Sequence, residues 1–506
     1  MVRCDDDQVD AVGHALEAGD ATVMDTTDLA HGERHVVCFC DPNATKALHV
    51  GHLRNVAIGH GLASVLRAAG AGVVEQCHVC DIGRAMGEAI AGYLTFGAHL
   101  TPADTGAKPD HFVGDCYRRY VATLEDERAD DGPHDPALSR EDGAGHDLAS
   151  DALDRLAAGD GDTMALWTRL RGWVLDGQRA TLDRLGVRFD RVFLESHYTA
   201  DIALLRELVL RRGVATRLSS GAVAYATQRE HYPNLLLARS DGGTTQHLRY
   251  LALWWATLPY LDGTRSIQVA GDEWTPLTTY GDEILRSIVT DGEVHPTTCV
   301  LHGMVTVGGQ QVKSSRGDPL LIDDLIDLLM SHPEVDRLSH RHRRADRSRI
   351  AAAAALGLVL ACHPRKRMDV RVDDFISPKA GAGWVLAQGW TKACDPQHDG
   401  PPEPDVDDAG YRFLVIQSQV HRALVRRAVE RLDVEPLMRF HLHLSRWYLE
   451  APDDARLARM MRTILATAGT ALGLPFALGE EMHQAGLEPA AVGLEGRSSS
   501  QLRYWC

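Results

Sequence analysis

Two β-branched runs, HVVCFC at residues 35–40 and GVVEQCHVC at 72–80, flank a helical stretch and constrain the fold of this chain more than any other feature. Between them Ile58, Leu62, Val65, Leu66 and Ala69 recur on one helical face, and Gly70 ends the pattern. Strand, loop, helix and strand within about 45 residues predict a βαβ unit whose strands are parallel and buried on both faces. Such a unit excludes all-α and all-β folds. It presents ligands at the carboxyl ends of its strands, where residues 40–52 would lie.

A chain of 506 residues exceeds one hydrophobic core, so two or three domains are expected. The longest apolar run, IAAAAALGLVLACH from Ile350, falls short of the roughly 20 residues that cross a bilayer. The opening MVRCDDDQVD carries no basic-then-apolar leader, which predicts a cytoplasmic protein without a membrane partner. Ten scattered cysteines in that compartment predict reduced thiols. The net charge of −17 repels phosphate overall, so a nucleic-acid contact would need local basic patches.

Residues 1–34 read as a short extension and 35–330 as the catalytic domain, interrupted at 125–147 by nine acids against two arginines, a solvated insertion. Helical patterning resumes after it. A second core strand set is expected at LLLARSDGG and SIQVAGDEW. Residues 331–400 read as a helical region, DPQHDGPPEPDVDDAG as a linker, and 401–475 as a helical bundle. Between Tyr411 and Pro475 ten arginines face six acids, which makes the bundle basic. Residues 476–506 form an unassigned tail.

The chemistry concentrates in two places. His49-Val50-Gly51-His52 sits between the first strand and first helix, where free helix N–H groups would attract phosphate and Gly51 would permit close approach of an adenine ring. Lys313-Ser314-Ser315-Arg316-Gly317 follows some 260 residues later, preceded by Leu301-His302-Gly303-Met304. Activation of a carboxylate by ATP spreads negative charge over the α-phosphate and departing pyrophosphate. Cations on a Gly-terminated loop can stabilise that charge.

These two segments resemble the signature sequences of class I aminoacyl-tRNA synthetases, and their surroundings resemble the arginyl branch. HVCDIGRAMG (78–87), ARSDGGTTQHLRYLA (238–252), GAGWVLAQGW (381–390) and EPLMRFHLHLSRWYL (435–449) resemble, in order, its post-signature loop, amino-acid segment, stem-contact region and anticodon-binding region. The resemblance implies an α/β fold, a Rossmann-type catalytic domain with a C-terminal α-helical bundle. It also implies a ligase that uses ATP with Mg2+. In that frame His49, Gly51 and His52 hold the triphosphate, and Lys313, Ser315 and Arg316 stabilise the transition state. Asn43 holds the substrate's amino end, His302 and Met304 line the adenine site, and Asp81 shapes the pocket floor. No resident metal is expected.

The departures lie where the amino acid would sit. The family's tyrosine and guanidinium-reading aspartate are Gln246 and Tyr250 here, and the acid before its Pro-Asn pair is Cys38. A buried guanidinium demands a carboxylate, and loss of one partner costs about 3–5 kcal/mol. Arginine would therefore depend on Asp272 or Glu273 as a substitute. A polar, uncharged or aromatic amino acid fits Gln246 and Tyr250 better. Cys38, Cys40, Cys77, Cys80 and His78 raise a zinc or redox site, against which core cysteines are the plainer expectation. RLSHRHRRADRSR at 337–349 offers six arginines to an acceptor stem or forms a solvated helix face. Three readings follow: an amino-acid ligase acting on tRNA, a tRNA-independent ligase acting on a small amine, and a non-catalytic binding or regulatory relative.

Overall fold

The computed structural model describes residues 6–129, 147–226, 234–240, 242–257, 263–288, 297–311, 319–341, 346–379, 381–399 and 408–477. Lys313, Ser315 and Arg316 lie outside these residues, as do most of the acidic insertion, part of the 337–349 arginine run and nearly all of the tail.

The expected βαβ unit is present. β1 (Arg34–Cys38), β2 (Gly72–Val79), β3 (Arg191–Leu194), β4 (Arg265–Gly271) and β5 (Thr297–His302) form one sheet in the order β3-β2-β1-β4-β5. Every pairing is parallel. This is the doubly wound order, in which strand order reverses beside β1 and opens a crevice at the carboxyl ends.

The helices that matter for the site are α1 (Asp6–Glu17), α2 (Val50–Ala68), α3 (Gly161–Leu185), α4 (Gln246–Thr257) and α5 (Ile322–Met330). Toward the carboxyl end follow α6 (Arg347–Leu360), α7 (Ala382–Ala393), α8 (Asp408–Arg431), α9 (Glu435–Glu450) and α10 (Ala455–Leu472). α2 buries Ile58, Leu62, Val65 and Leu66, and Gly70 leaves it at φ 89°, a left-handed exit that favours glycine. The alanine run of α6 is a close-packing face. A Cβ on Gly357 would lie 2.4 Å from Gly383 Cα of α7, so the two backbones touch. No helix among the described residues is long and apolar enough to cross a membrane.

One strand expectation is corrected. Leu235–Ala238, the LLLA of LLLARSDGG, does not join SIQVAG in one set. It pairs antiparallel with Val223–Tyr225, which pairs with Thr216–Arg217, in a separate three-stranded sheet. A short hairpin next to it in sequence closes at lower entropic cost than insertion into the parallel sheet. The small sheet, α4 and the helix Thr275–Ile288 enclose a core of their own around Leu237, Leu248, Leu251 and Ile284.

The edges of the acidic insertion are structured. The helix Pro109–Ala129 carries the chain to the insertion, and Asp147 caps the helix Leu148–Ala157 while pairing with Arg84.

The main core runs without a break from β1 and α2 into α6, α7 and α10. The N-terminal segment docks on the helical bundle. Thr463 Oγ1 donates to Leu16 O at 2.8 Å, Glu17 meets Arg456 at 2.9 Å and Arg459 at 3.5 Å, and Asp28 meets Arg422 at 2.6 Å. Three of the bundle's ten arginines are thereby neutralised by acids that precede β1.

Candidate active site

His49 is the N-cap of α2 and its Nδ1 accepts the Gly51 N–H at 3.1 Å, while His52 Nδ1 accepts the His49 N–H at 3.1 Å. The two rings lie 4.0 Å apart. Burial holds His49 well below the usual imidazole range and takes His52 down to about 3, so both are neutral. A neutral ring whose Nδ1 accepts must carry its proton on Nε2. Both residues are partly exposed and neither Nε2 is a sealed atom, so each ring keeps an Nε2–H donor that the cap does not use.

The expectation of free helix N–H groups is corrected. Val50 N donates to Leu320 O at 3.0 Å, Gly51 N to the His49 ring, and His52 N to His49 O at 2.8 Å. The chain itself satisfies the N–H groups of Val50, Gly51 and His52 at the helix end.

The same bonds fix where the distant loop returns. His49 and Leu321 form an antiparallel bridge, and Ile322 N donates to Leu48 O at 3.0 Å. Residues 319–322, which directly follow the second signature, are thus stitched to the first turn of α2. α5 is anchored as well: its Asp323 carboxylate meets Lys108 at 2.7 Å, Arg184 at 2.8 Å and His111 at 3.3 Å. Burial would raise the Asp323 carboxyl, but hydrogen bonds from His111, Lys108 and Thr181 and the Lys108 charge hold it well below the usual carboxylate range.

On the other wall, His302 Nδ1 lies 3.1 Å from Gly303 O, and burial takes the ring down to about 4. Met304 is 46% exposed, an accessible thioether beside it. A Cβ on Gly303 would stand 2.8 Å from the Lys366 carbonyl group, so only glycine permits this approach. Arg54 of α2, 1% exposed, donates to Pro364 O at 2.8 Å and His363 O at 3.2 Å and holds that turn in place. Asp272, expected near the amino acid, acts electrostatically on Arg54 and His302, so its charge belongs to this wall. Glu273 folds its carboxyl back over Gly271, where an added Cβ would meet Oε2 at 2.2 Å.

The end of β1 carries a buried acid that sequence reasoning missed. Cys40 and Asp41 adopt left-handed φ values of 79° and 43°, rare and strained for residues with a Cβ. This double turn folds Asp41 back beneath the end of β1. Its Oδ1 accepts from His78 N at 3.1 Å and Cys38 Sγ at 3.7 Å, its Oδ2 from Gln268 Nε2 at 2.7 Å, and Tyr250 also donates to it. Burial raises this carboxyl to about 6. Asp41 thus sets a carboxylate 3.7 Å from Cys38, the position where the family resemblance would put an acid. Its only sequence signal is an aspartate just before Pro42-Asn43, and periodicity cannot reveal the backward turn.

Tyr250 is buried, with Trp274 and His78 each 4.6 Å from its ring. Gln246, at the start of α4, is exposed. Asp81 is fully buried and its carboxylate is taken by Ser196 N at 2.8 Å, Ser196 Oγ at 2.7 Å and Arg171 at 3.0 Å, so it braces the wall. Asn43 O and Lys46 O both accept from Gln178 Nε2 of α3, which sets the signature loop. Lys46 adds a positive charge near both signature imidazoles, a contribution not anticipated from the motif.

The cysteines divide. Cys40 and Cys77 are hydrogen-bonded neighbours, Cys38 faces Asp41, and Cys80 faces Glu195. Among the described residues His78, Cys80 and Glu195 come within metal-ligating reach of one another, yet Arg249 already meets Glu195 at 3.0 Å.

With the geometry in place, the chain matches the family described as tRNA synthetases class I (R), catalytic domain, over residues 18–359. The chain belongs to this family. By that membership it is a ligase of the aminoacyl-tRNA synthetase kind. It is 28% identical to an arginine–tRNA ligase of Treponema pallidum subsp. pallidum, across 89% of this chain and 80% of that protein. To the arginine–tRNA ligase of Amoebophilus asiaticus it is 30% identical, across 59% of this chain and about half of that protein's length (51%). The fold resembles that of the Thermus thermophilus arginyl-tRNA synthetase, with TM-score 0.67, 20% identity and coverage of 92% and 85% of the two chains. The Plasmodium falciparum arginyl-tRNA synthetase gives TM-score 0.64 at 15% identity, with coverage of 92% and 82%.

Proposed function

We propose that this ligase uses ATP with Mg2+ to convert an amino acid to its adenylate and passes the acyl group to the 3′ end of a tRNA, and that the amino acid is not arginine. The observation that carries the adenylation step is the pair of Nε2–H donors at the start of α2, beside which the chain returns from Lys313–Gly317. In this reading His49 and His52 neutralise triphosphate charge, Lys46 adds to that field, and Lys313 and Arg316 act from a loop tethered at Leu320.

Two facts support a substrate other than arginine. The buried carboxylates here already have partners: Asp41 four donors, Asp81 Ser196 and Arg171, and Glu195, through Oε1, the chain's own guanidinium, Arg249. At the position where the family carries its guanidinium reader stands Tyr250, whose hydroxyl is committed to Asp41. ATP–pyrophosphate exchange across a full amino-acid panel, with and without tRNA, tests the reading. Exchange should occur with an amino acid other than arginine and be abolished in His52→Ala. Exchange with arginine alone would refute the specificity, and a complete absence of exchange would refute the activity.

A second acceptor is favoured by one observation. Glu17 and Asp28 occupy Arg456, Arg459 and Arg422 of the bundle, reducing the positive surface available to RNA. A small amine would then take the acyl group, and turnover would survive ribonuclease treatment. If ribonuclease stops turnover, the tRNA reading stands.

A further inference from the structure

One face of α3 grips three separate segments of the catalytic domain. Trp167, Arg171, Gln178 and Thr181 recur at helical spacing, which keeps them in one row about 21 Å long. Trp167 Nε1 donates to Asp81 O at 2.8 Å and Arg171 to the Asp81 carboxylate at 3.0 Å, beyond the end of β2. Gln178 Nε2 donates to Asn43 O at 2.9 Å and to Lys46 O at 2.8 Å, in the first signature loop. Thr181 Oγ1 donates to Asp323 of α5 at 2.8 Å, just after the second signature.

The helix that carries this row is itself fixed. Asp160 caps its start by accepting from Thr163 N at 2.9 Å, and Gly186 leaves its end at φ 76°. A Cβ on Gly177 would lie 2.2 Å from Asp110 Oδ1, so the helix Pro109–Ala129 rests directly on the turn that bears Gln178.

Lys46 is wedged between these two helices. A Cβ on Gly114 would stand 3.2 Å from Lys46 Cβ, and the Lys46 ammonium lies 5.2 Å from the Tyr117 ring centre on the same helix. From the other side, the amide of Gln178, 3% exposed, ties the carbonyls at both ends of Asn43–Lys46 to α3. A carboxylate of the same shape has no N–H to offer those carbonyls. A side chain supported in this way on a rigid element keeps its charge in one place.

We infer that Gln178 is a positioning residue for adenylate formation, acting through Lys46 by holding its ammonium beside the signature imidazoles where charge develops on the phosphates. The inference rests on the adenylate-forming reading for the step it serves, and amide hydrogen exchange tests the positioning apart from catalysis. Positioning is felt in the transition state more than in nucleotide binding, so kcat should respond and KM for ATP should not.

The experiment compares the full chain with Gln178→Met, Lys46→Met and the double variant in ATP–pyrophosphate exchange, supplied with the twenty amino acids and total tRNA. Gln178→Met, close in shape to the native side chain, should lower kcat at least tenfold and leave KM for ATP within threefold. The double variant should be no more than twofold slower than Lys46→Met, because both changes act through one ammonium; independent effects would multiply. Gln178→Glu should fall as far as Gln178→Met, and it carries the same comparison if the methionine variant does not fold. Hydrogen–deuterium exchange should quicken over residues 43–48 of either variant and stay unchanged over residues 161–175, which also shows that α3 is folded. Undiminished kcat, a change in KM alone, multiplied effects in the double variant, or unchanged hydrogen exchange over residues 43–48 would each overturn the inference. Quickened hydrogen exchange there in a chain without pyrophosphate exchange would uphold the positioning and remove the ligase reading.

Discussion

Replacing Arg249 by methionine isolates the claim that the chain's own guanidinium occupies the pocket's buried acid. Glu195 is fully buried, its Oε1 receives Arg249 Nε at 3.0 Å, and its Oε2 has no partner. Burial already pushes this carboxyl above its usual range, with Arg249 opposing the rise. Removing one member of a buried pair costs about 3–5 kcal/mol, because the other charge is left unpaired in a poor solvent. Arg249→Met should therefore lower the urea midpoint by an amount equivalent to that energy, and the double variant Arg249→Met/Glu195→Gln should recover most of it. In the single variant Glu195 would hold its proton more strongly than in the unfolded chain. The folded state then binds the extra proton, so the loss should be smaller at pH 5 than at pH 7.5. Added methylguanidinium should restabilise the single variant and leave the double variant unchanged. A loss below about 1 kcal/mol, or equal effects of methylguanidinium on both variants, would refute the reasoning.

Further outcomes are expected. Gly51→Ala places a Cβ 2.8 Å from the His49 ring and should displace that imidazole. Its pyrophosphate exchange should fall at least tenfold while the melting temperature changes little, and undiminished exchange would remove His49 from the triphosphate site. Gly303→Ala meets the Lys366 carbonyl, a backbone group that cannot swing away, and should destabilise the fold by about 1–3 kcal/mol in urea unfolding. Acid should also unfold the chain. His78 at about 3, His302 at about 4 and His421 at about 4 stay neutral when folded and gain protons when unfolded, so their stabilisation is complete above pH 6.5 and is lost as pH falls. Asp41, raised to about 6, acts in the opposite sense below that pH. These three imidazoles, joined by His49, His52 and His441, outnumber Asp41, so unfolding takes up protons and stability should fall between pH 6 and 5; constant urea stability across that window would contradict these burial effects.

Local pattern alone was enough to establish much of this protein. The runs at 35–40 and 72–80 became adjacent parallel strands because β-branched apolar residues buried on both faces have few alternatives. The helix between them followed from spacing, and Gly70 ended it. His49 and His52 were legible because one helical turn brings residues three apart together. By contrast, LLLARSDGG was assigned to the wrong sheet, since a short apolar run does not encode its partner. The free helix N–H groups were misread because Leu320, 270 residues away from Val50, satisfies one of them.

The surroundings of Asp41 were decided by tertiary structure. No spacing rule predicts that Cys40 and Asp41 turn left-handed and carry a carboxylate back to Cys38, Gln268 and Tyr250. Nor does any local pattern bring Arg191, Gln76, Cys38 and Gln268 into one row, because register between strands up to about 230 residues apart sets it. Periodicity reports which face of an element is buried. Which polar groups meet on that face depends on how the elements pair, and the electrostatics around Asp41 arise from that pairing.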